Sequence, residues 1–247
     1  MALNYFGKSD IGKVQKVMDD AFVGFTVNDN ILFIAVADGL GAKKGLDSAS
    51  AVAMQEFKKY MTEHIISDDI SHIESEMKKC LYMINRIIYN YQRIYPEVYN
   101  NFSTTFTVVA LNYKKEIVIA HTGNSRFLLF RQGEMYAMTR DDTIAQDLVD
   151  NNEIQAVEYP QHPDRNKLTK SLGMNNFEPF TTRGNLMTND VIVLVTNGIF
   201  ELLSNEKLAQ IIMNTESTEE AVEWIIDGAN DLGGFDNMAS VISFIDF

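Results

Sequence analysis

Only one cysteine (Cys80), one tryptophan and four prolines occur among the 247 residues. A lone thiol excludes an internal disulfide and any zinc site built from several cysteines. No apolar run approaches the roughly 20 residues that cross a bilayer as a helix, and the first residues lack a basic-then-apolar leader pattern. These absences predict a cytoplasmic protein that does not engage membranes. Positive charge is also scarce, with 21 Lys and Arg against 34 Asp and Glu for a net −13. That balance argues against nucleic acid as a partner, because phosphate neutralisation needs a basic patch. It suits divalent cations, which prefer carboxylates. With no internal repeat, low-complexity tract or Pro/Gly/Ser-rich linker, one domain over residues 1–247 is expected.

What is present begins with two strand-like runs, Phe22 to Val27 and Ile31 to Ala37, joined by the turn residues Asn28-Asp29-Asn30. A hairpin would bring Asp19 and Asp20, before the first run, beside Asp38, after the second. Asp38-Gly39 is expected to end its strand in a turn. Two amphipathic helices follow. Ala49, Val52, Ala53, Phe57, Tyr60 and Met61 mark one stripe, and Ile70, Ile73, Met77, Leu81, Ile84, Ile88 and Tyr91 mark the other. Cys80 reads as a packing residue on the second. Short β-rich runs at 104–111, 116–122, 126–131 and 134–138 are spaced as an antiparallel meander. Residues 141–180 hold three of the four prolines and read as an irregular flap. Then come a strand at 191–196, a helix opening near Ile199 and running past Ser204 to Ile212, a helix over Thr218–Gly228, and a last strand from Met238 to Ile245. Strands, helices, strands, helices and a strand in that order predict an α+β fold with mostly antiparallel sheets.

Three of these strands abut Asp38-Gly39, Asn197-Gly198 and Gly233-Gly234-Phe235-Asp236-Asn237. Oxygen donors beside flexible backbone suit hard divalent ions, but Asp and Gly are also ordinary turn formers. Spacing alone leaves both readings open.

Taken in order, the motifs resemble those of the type 2C (PPM) metal-dependent serine/threonine protein phosphatases. Ser9-Asp10-Ile11-Gly12 with Asp19-Asp20-Ala21-Phe22 resembles the opening motif, and Ala35-Val36-Ala37-Asp38-Gly39-Leu40-Gly41 the metal-bridging one. Ala120-His121-Thr122-Gly123-Asn124-Ser125-Arg126, His162-Pro163 with Asn166 to Gly173, Thr196-Asn197-Gly198 and Asp236-Asn237 complete the series. The resemblance implies a four-layer α-β-β-α sandwich, two packed antiparallel sheets flanked by helices, with two Mn²⁺ or Mg²⁺ ions at one end. It implies Asp38 as the bridging carboxylate, the Gly39 carbonyl on the second ion, Asp236 on the first, and Asp20, with Asp19 beside it, holding the second ion's waters.

The departures from the pattern carry as much as the matches. Gln15 stands where the family has a phosphate-gripping arginine, Met18 where it has an asparagine, Asn197 where it has a metal-binding aspartate, and Asn124 where another acid serves an additional ion. Each carboxamide keeps an oxygen and loses a charge, and divalent affinity follows ligand charge. The expected function is therefore hydrolysis of phosphoserine and phosphothreonine proteins by water attack at two ions, weakened by Gln15, Asn124 and Asn197. The alternative is a pseudophosphatase that binds a phosphoprotein or another protein partner without turnover. An α+β scaffold with no site is the third reading. No histidine is assigned catalysis: His121 reads as structural, His64 and His72 as helix residues, and His162 as part of the flap. Arg126 reads as an ion-pair partner rather than a phosphate clamp, and Lys43-Lys44 as a solvated helix entry.

Overall fold

A computed structural model describes residues 4–41, 45–175 and 177–246, so the Lys43-Lys44 pair lies outside the described residues. Among the described residues, eleven strands form two antiparallel sheets. One sheet has β2 (Asp20–Val27), β3 (Ile31–Leu40), β5 (Phe106–Asn112), β6 (Glu116–Thr122) and β9 (Phe180–Asn185) in that order, with the two-residue β4 (Ser103–Thr104) on the end of β3. The other has β1 (Tyr5–Asp10), β11 (Met238–Phe244), β10 (Val191–Val195), β7 (Arg126–Arg131) and β8 (Glu134–Ala137). Helices α1 (Ala49–His64) and α2 (Ile70–Ile94) cover the first sheet, while α5 (Asn205–Met213) and α6 (Thr218–Asp231) cover the second. This is the expected α-β-β-α sandwich.

Strand periodicity explains the layers. β3 is apolar on both faces: Ile31, Phe33, Ala35 and Ala37 pack with α1 and α2, whereas Leu32, Ile34 and Val36 pack between the sheets. A period of two sorts the residues, and a strand buried on both sides needs an unbroken apolar run. β10 does the same, sending Val191, Val193 and Val195 to α5 and α6 and Ile192 and Leu194 to the inter-sheet layer. Extending the alternation carries Asp38 and Thr196 onto the inter-sheet face, where the apolar layer ends in polar side chains. Helix starts are fixed locally. Ser48, Asp69, Ser204 and Ser217 each accept a backbone N–H of the following turn, an arrangement that contributes about 1 kcal/mol per cap.

Three local expectations are corrected. The meander is broken: β6 and β7 lie in different sheets, so Gly123-Asn124-Ser125 crosses the sandwich instead of making a hairpin. Asp38-Gly39 does not end its strand, because Gly39 and Leu40 pair onward with Thr104 and Ser103. The helix expected from Ile199 to Ile212 is two, α4 (Asn197–Phe200) and α5, because the Ser204 hydroxyl accepts the Lys207 N–H and starts a new helix. The flap at 141–180 carries α3 (Ile144–Asp150) and a 3-10 turn at Ala156–Gln161.

Candidate metal centre

Because the sheets are antiparallel, the start of β2 and the end of β3 meet. Asp20 lies directly opposite Asp38 in the register. The mouth of the inter-sheet layer also receives Asn124 from the β6–β7 crossover, Asn197 after β10 and Asp236 before β11. With Asp19, Gly39 and Gln15, all but Asp20 of these line one cavity of about 600 Å³. The flap contributes Asn166 and Leu168 to its wall.

The backbone of the site is held by side chains from distant elements. Asp38 is pinned on both sides: its N–H donates to Thr105 Oγ1 at 2.8 Å, and its carbonyl accepts from Thr104 Oγ1 and the Thr105 N–H, each at 2.9 Å. Asn237 stitches the loop before β2, its Oδ1 accepting the Asp19 N–H at 2.6 Å and its Nδ2 donating to the Ile11 carbonyl at 3.0 Å. The Asp19 carbonyl accepts from Gly39 N–H and the Ser50 hydroxyl. A Cβ on Gly39 would stand 2.6 Å from that carbonyl, so only glycine permits the approach. Gly198 is equally constrained, since a Cβ there would run into the Asn237 carbonyl. Gly198→Ala must displace the Asp236–Asn237 backbone. A loss of roughly 2 kcal/mol is expected, read as a lowered urea midpoint together with weakened cation binding.

Four buried oxygens at this end have no hydrogen-bond partner among the described residues: Asp19 Oδ1, Asp20 Oδ2, Asn124 Oδ1 and Asn197 Oδ1. Orphaned buried acceptors are costly, and four together mark a place where positive charge is missing. The titration behaviour agrees. Burial, and then the negative charge of Asp236, push Asp38 up to about 7. Burial and the neighbouring Asp38 hold Asp20 well above the usual carboxylate range against the opposing Thr196 hydroxyl, and the Asp20 and Asp38 side chains share a hydrogen bond. Asp19 is raised by burial and by Asp236. Hard oxygen donors facing a common cavity fit Mg²⁺ or Mn²⁺. Among the described residues no three Asp, Glu, His or Cys side chains form a ready-made cage. The donor set mixes carboxylate, carboxamide and backbone carbonyl.

Neighbouring residues expected elsewhere are placed as follows. Gln15 Nε2 donates to Asp236 Oδ1 at 3.1 Å, so its amide is held on an acid of the site. Arg126 forms a two-pronged ion pair with Asp141 at 2.9 and 2.7 Å and lies 3.7 Å over the Phe200 ring, which removes it as a phosphate clamp. His121 is buried between Thr107 and the Arg140 carbonyl at 2.9 Å each, and burial lowers its pKa; its role is packing of the crossover. Asp142 then ties the flap to the crossover through Gly123, by 2.7 and 3.1 Å bonds.

Sequence reasoning missed Ser50 and the roles of Thr105 and Asn237. It also missed Asn85 and Gln92 on α2, which hold the Gly173 backbone at 2.6 and 2.9 Å. Polar residues on the buried stripe of α2 were the available signal.

Two helix-flanked antiparallel sheets with an oxygen-lined cavity at their common end define the metal-dependent phosphatase class. The chain belongs to the protein phosphatase 2C family, whose model matches residues 7–232. Over 236 residues it is 26% identical to the serine/threonine phosphatase stp of Listeria welshimeri, covering 95% of this chain and 93% of that protein. The S. agalactiae serine/threonine phosphatase shares the fold at a TM-score of 0.89 and 26% identity, over 98% of this chain and 99% of that one. The catalytic domain of the phosphatase PstP, solved with 2 manganese ions, matches at 0.81 and 22% identity over 99% and 98% of the two chains; that likeness is one of fold. Phosphatases of this family use Mn²⁺ or Mg²⁺.

Proposed function

We propose that the chain is a phosphoserine/phosphothreonine protein phosphatase with a two-ion site of reduced charge, active only when Mn²⁺ or Mg²⁺ is plentiful. The observation that carries this reading is that Asp19, Asn124 and Asn197, each with a buried oxygen lacking a hydrogen-bond partner among the described residues, line the same cavity as Asp38 and Asp236. Asp38, the Gly39 carbonyl and Asp236 would hold the ions, with Asn197 as a neutral donor in the same set. Asp20 and Asp19 would accept hydrogen bonds from the ions' waters. Bound there, such ions polarise a phosphoryl oxygen and make a hydroxide nucleophile available near neutral pH. Because burial raises both Asp20 and Asp38, ion binding here would be linked to proton release. Relatives named as serine/threonine phosphatases support phosphoproteins as the substrate class.

One observation favours the second reading, a binding module without turnover. The Gln15 amide occupies an Asp236 oxygen, and no arginine lines the cavity among the described residues. Hydrolysis of a phosphothreonine peptide across a Mn²⁺ titration separates the two. Turnover that rises steeply into excess metal is the expected result. Peptide binding with no phosphate release at any Mn²⁺ concentration would establish the module instead.

Among the described residues no helix is long and apolar enough to cross a membrane.

A further inference from the structure

We infer that Lys16 supplies the positive charge that binds the phosphate of the substrate, one residue along from the position that the family fills with arginine. The inference rests on the phosphatase reading above and deepens it. A phosphate entering a cavity lined by Asp19, Asp38 and Asp236 needs cationic partners from the protein as well as from ions. Gln15 cannot supply one, being neutral and held on Asp236. Lys16 lines the same cavity and is the sole cation to do so among the described residues.

Competing cations are already engaged. Arg126 is committed to Asp141, Arg165 stands 3.4 Å from Glu201, and Lys13 faces outward to Asp231 at 4.0 Å. Lys16 has no carboxylate within ion-pair distance among the described residues, so its ammonium is free to meet an anion. Its segment is anchored at both ends, by the Lys13 N–H on the Gly234 carbonyl at 2.8 Å and the Asp19 N–H on Asn237 at 2.6 Å. The chain between these anchors runs along the cavity wall, with Val14, Gln15, Lys16 and Val17 all lining it. A lysine is a compact point charge on a flexible stem, whereas arginine offers a planar two-pronged fork. The exchange therefore keeps phosphate attraction and gives up the fixed orientation that arginine imposes.

The test is inorganic phosphate titrated calorimetrically into the Mg²⁺-saturated protein, for the parent chain, Lys16→Met, Lys16→Arg and Lys13→Met. Lys16→Met is expected to weaken phosphate binding at least about fivefold, with Lys16→Arg restoring it and Lys13→Met unchanged. Equal phosphate affinity for Lys16→Met and the parent, or no phosphate binding by the parent, overturns the inference. Thermal melts of each variant identify any loss that comes from unfolding, and the rescue by arginine keeps the conclusion tied to charge. The same variants are assayed on the phosphothreonine peptide. Lys16-dependent phosphate binding with no peptide hydrolysis sustains this inference while rejecting turnover, so the two failures are distinguishable.

Discussion

Asn197→Asp lowers the Mn²⁺ concentration for half-maximal binding by about tenfold or more and raises peptide hydrolysis at limiting metal. Asn197 is 8% exposed and lines the cavity, and its Oδ1 is buried without a hydrogen-bond partner among the described residues. Converting that amide to a carboxylate adds a full charge at a position already shaped to donate. Two unit charges about 4 Å apart interact by roughly 4 kcal/mol at an effective dielectric of 20, and a divalent ion doubles the attraction. Desolvation of the new carboxylate and its repulsion from Asp38 and Asp236 offset most of this. A surplus of only about 1.4 kcal/mol is a factor of ten in affinity. The same substitution carries an opposite effect without metal. A further buried negative charge beside Asp38 and Asp20 makes the cation-free fold less stable. The gap in melting temperature between metal-free and metal-saturated protein should therefore widen relative to the parent. Calorimetry with Mn²⁺ and paired melts read both effects. An unchanged dissociation constant, with the melting gap unaltered, would show that Asn197 does not belong to the donor set. Asn124→Asp should add to Asn197→Asp less or more than independently, because both would act on the same ions.

How far the site was legible follows from how local its signals are. The double-sided apolar run Ile31–Ala37 identifies a buried strand because alternate residues sort to opposite faces, and the two helical stripes are visible for the same reason of period. Asp38, Asp236, Gly39 and Asn197 stand where such runs end or begin, which leaves them open between turn and ligand, and the resemblance to the type 2C phosphatases is what singled them out. Sheet membership was not legible. Gly123-Asn124-Ser125 has hairpin composition, and only the packing of Phe127 and Leu129 against the first sheet's inner face shows that the chain crosses over there. The strand beyond Asp38 was hidden because its partner, Thr104, lies 65 residues away in sequence. The Thr105, Ser50 and Asn237 contacts are side-chain bonds to distant backbone, and no local pattern announces them. Gln15 marks the opposite case. Its departure from the family pattern was plain in the sequence, but its bond to Asp236 needed coordinates.

Raising the pH from 5 to 8 destabilises the metal-free protein, and Asp38→Asn weakens that response enough to melt above the parent at the alkaline end. An ordinary aspartate titrates near about 3.9, whereas Asp38 in the fold is pushed up to about 7 by burial and by Asp236. Asp20 and Asp19 are raised as well. Between the two values the folded chain binds more protons than the unfolded one, so unfolding free energy falls as pH climbs through that window. Only the part of this shift above pH 5 acts over the stated range, which for one group corresponds to roughly 2–3 kcal/mol. For a chain of this length that is a fall in melting temperature of about 5–10 °C. Saturating Mg²⁺ should remove most of the fall, because the ions take over the role of the bound protons. Asp38→Asn keeps the shape of the side chain and its backbone pins at Thr104 and Thr105 while deleting the charge. At pH 8 without metal it should melt above the parent, and it should gain little when Mg²⁺ is added. A strand residue of purely structural value predicts the contrary, a variant weaker than the parent at every pH and a parent whose own melting curve is indifferent to Mg²⁺. The two outcomes differ in sign, so melts at pH 5 and pH 8, each with and without Mg²⁺, decide whether the charge of Asp38 is retained for an ion or merely tolerated by the fold.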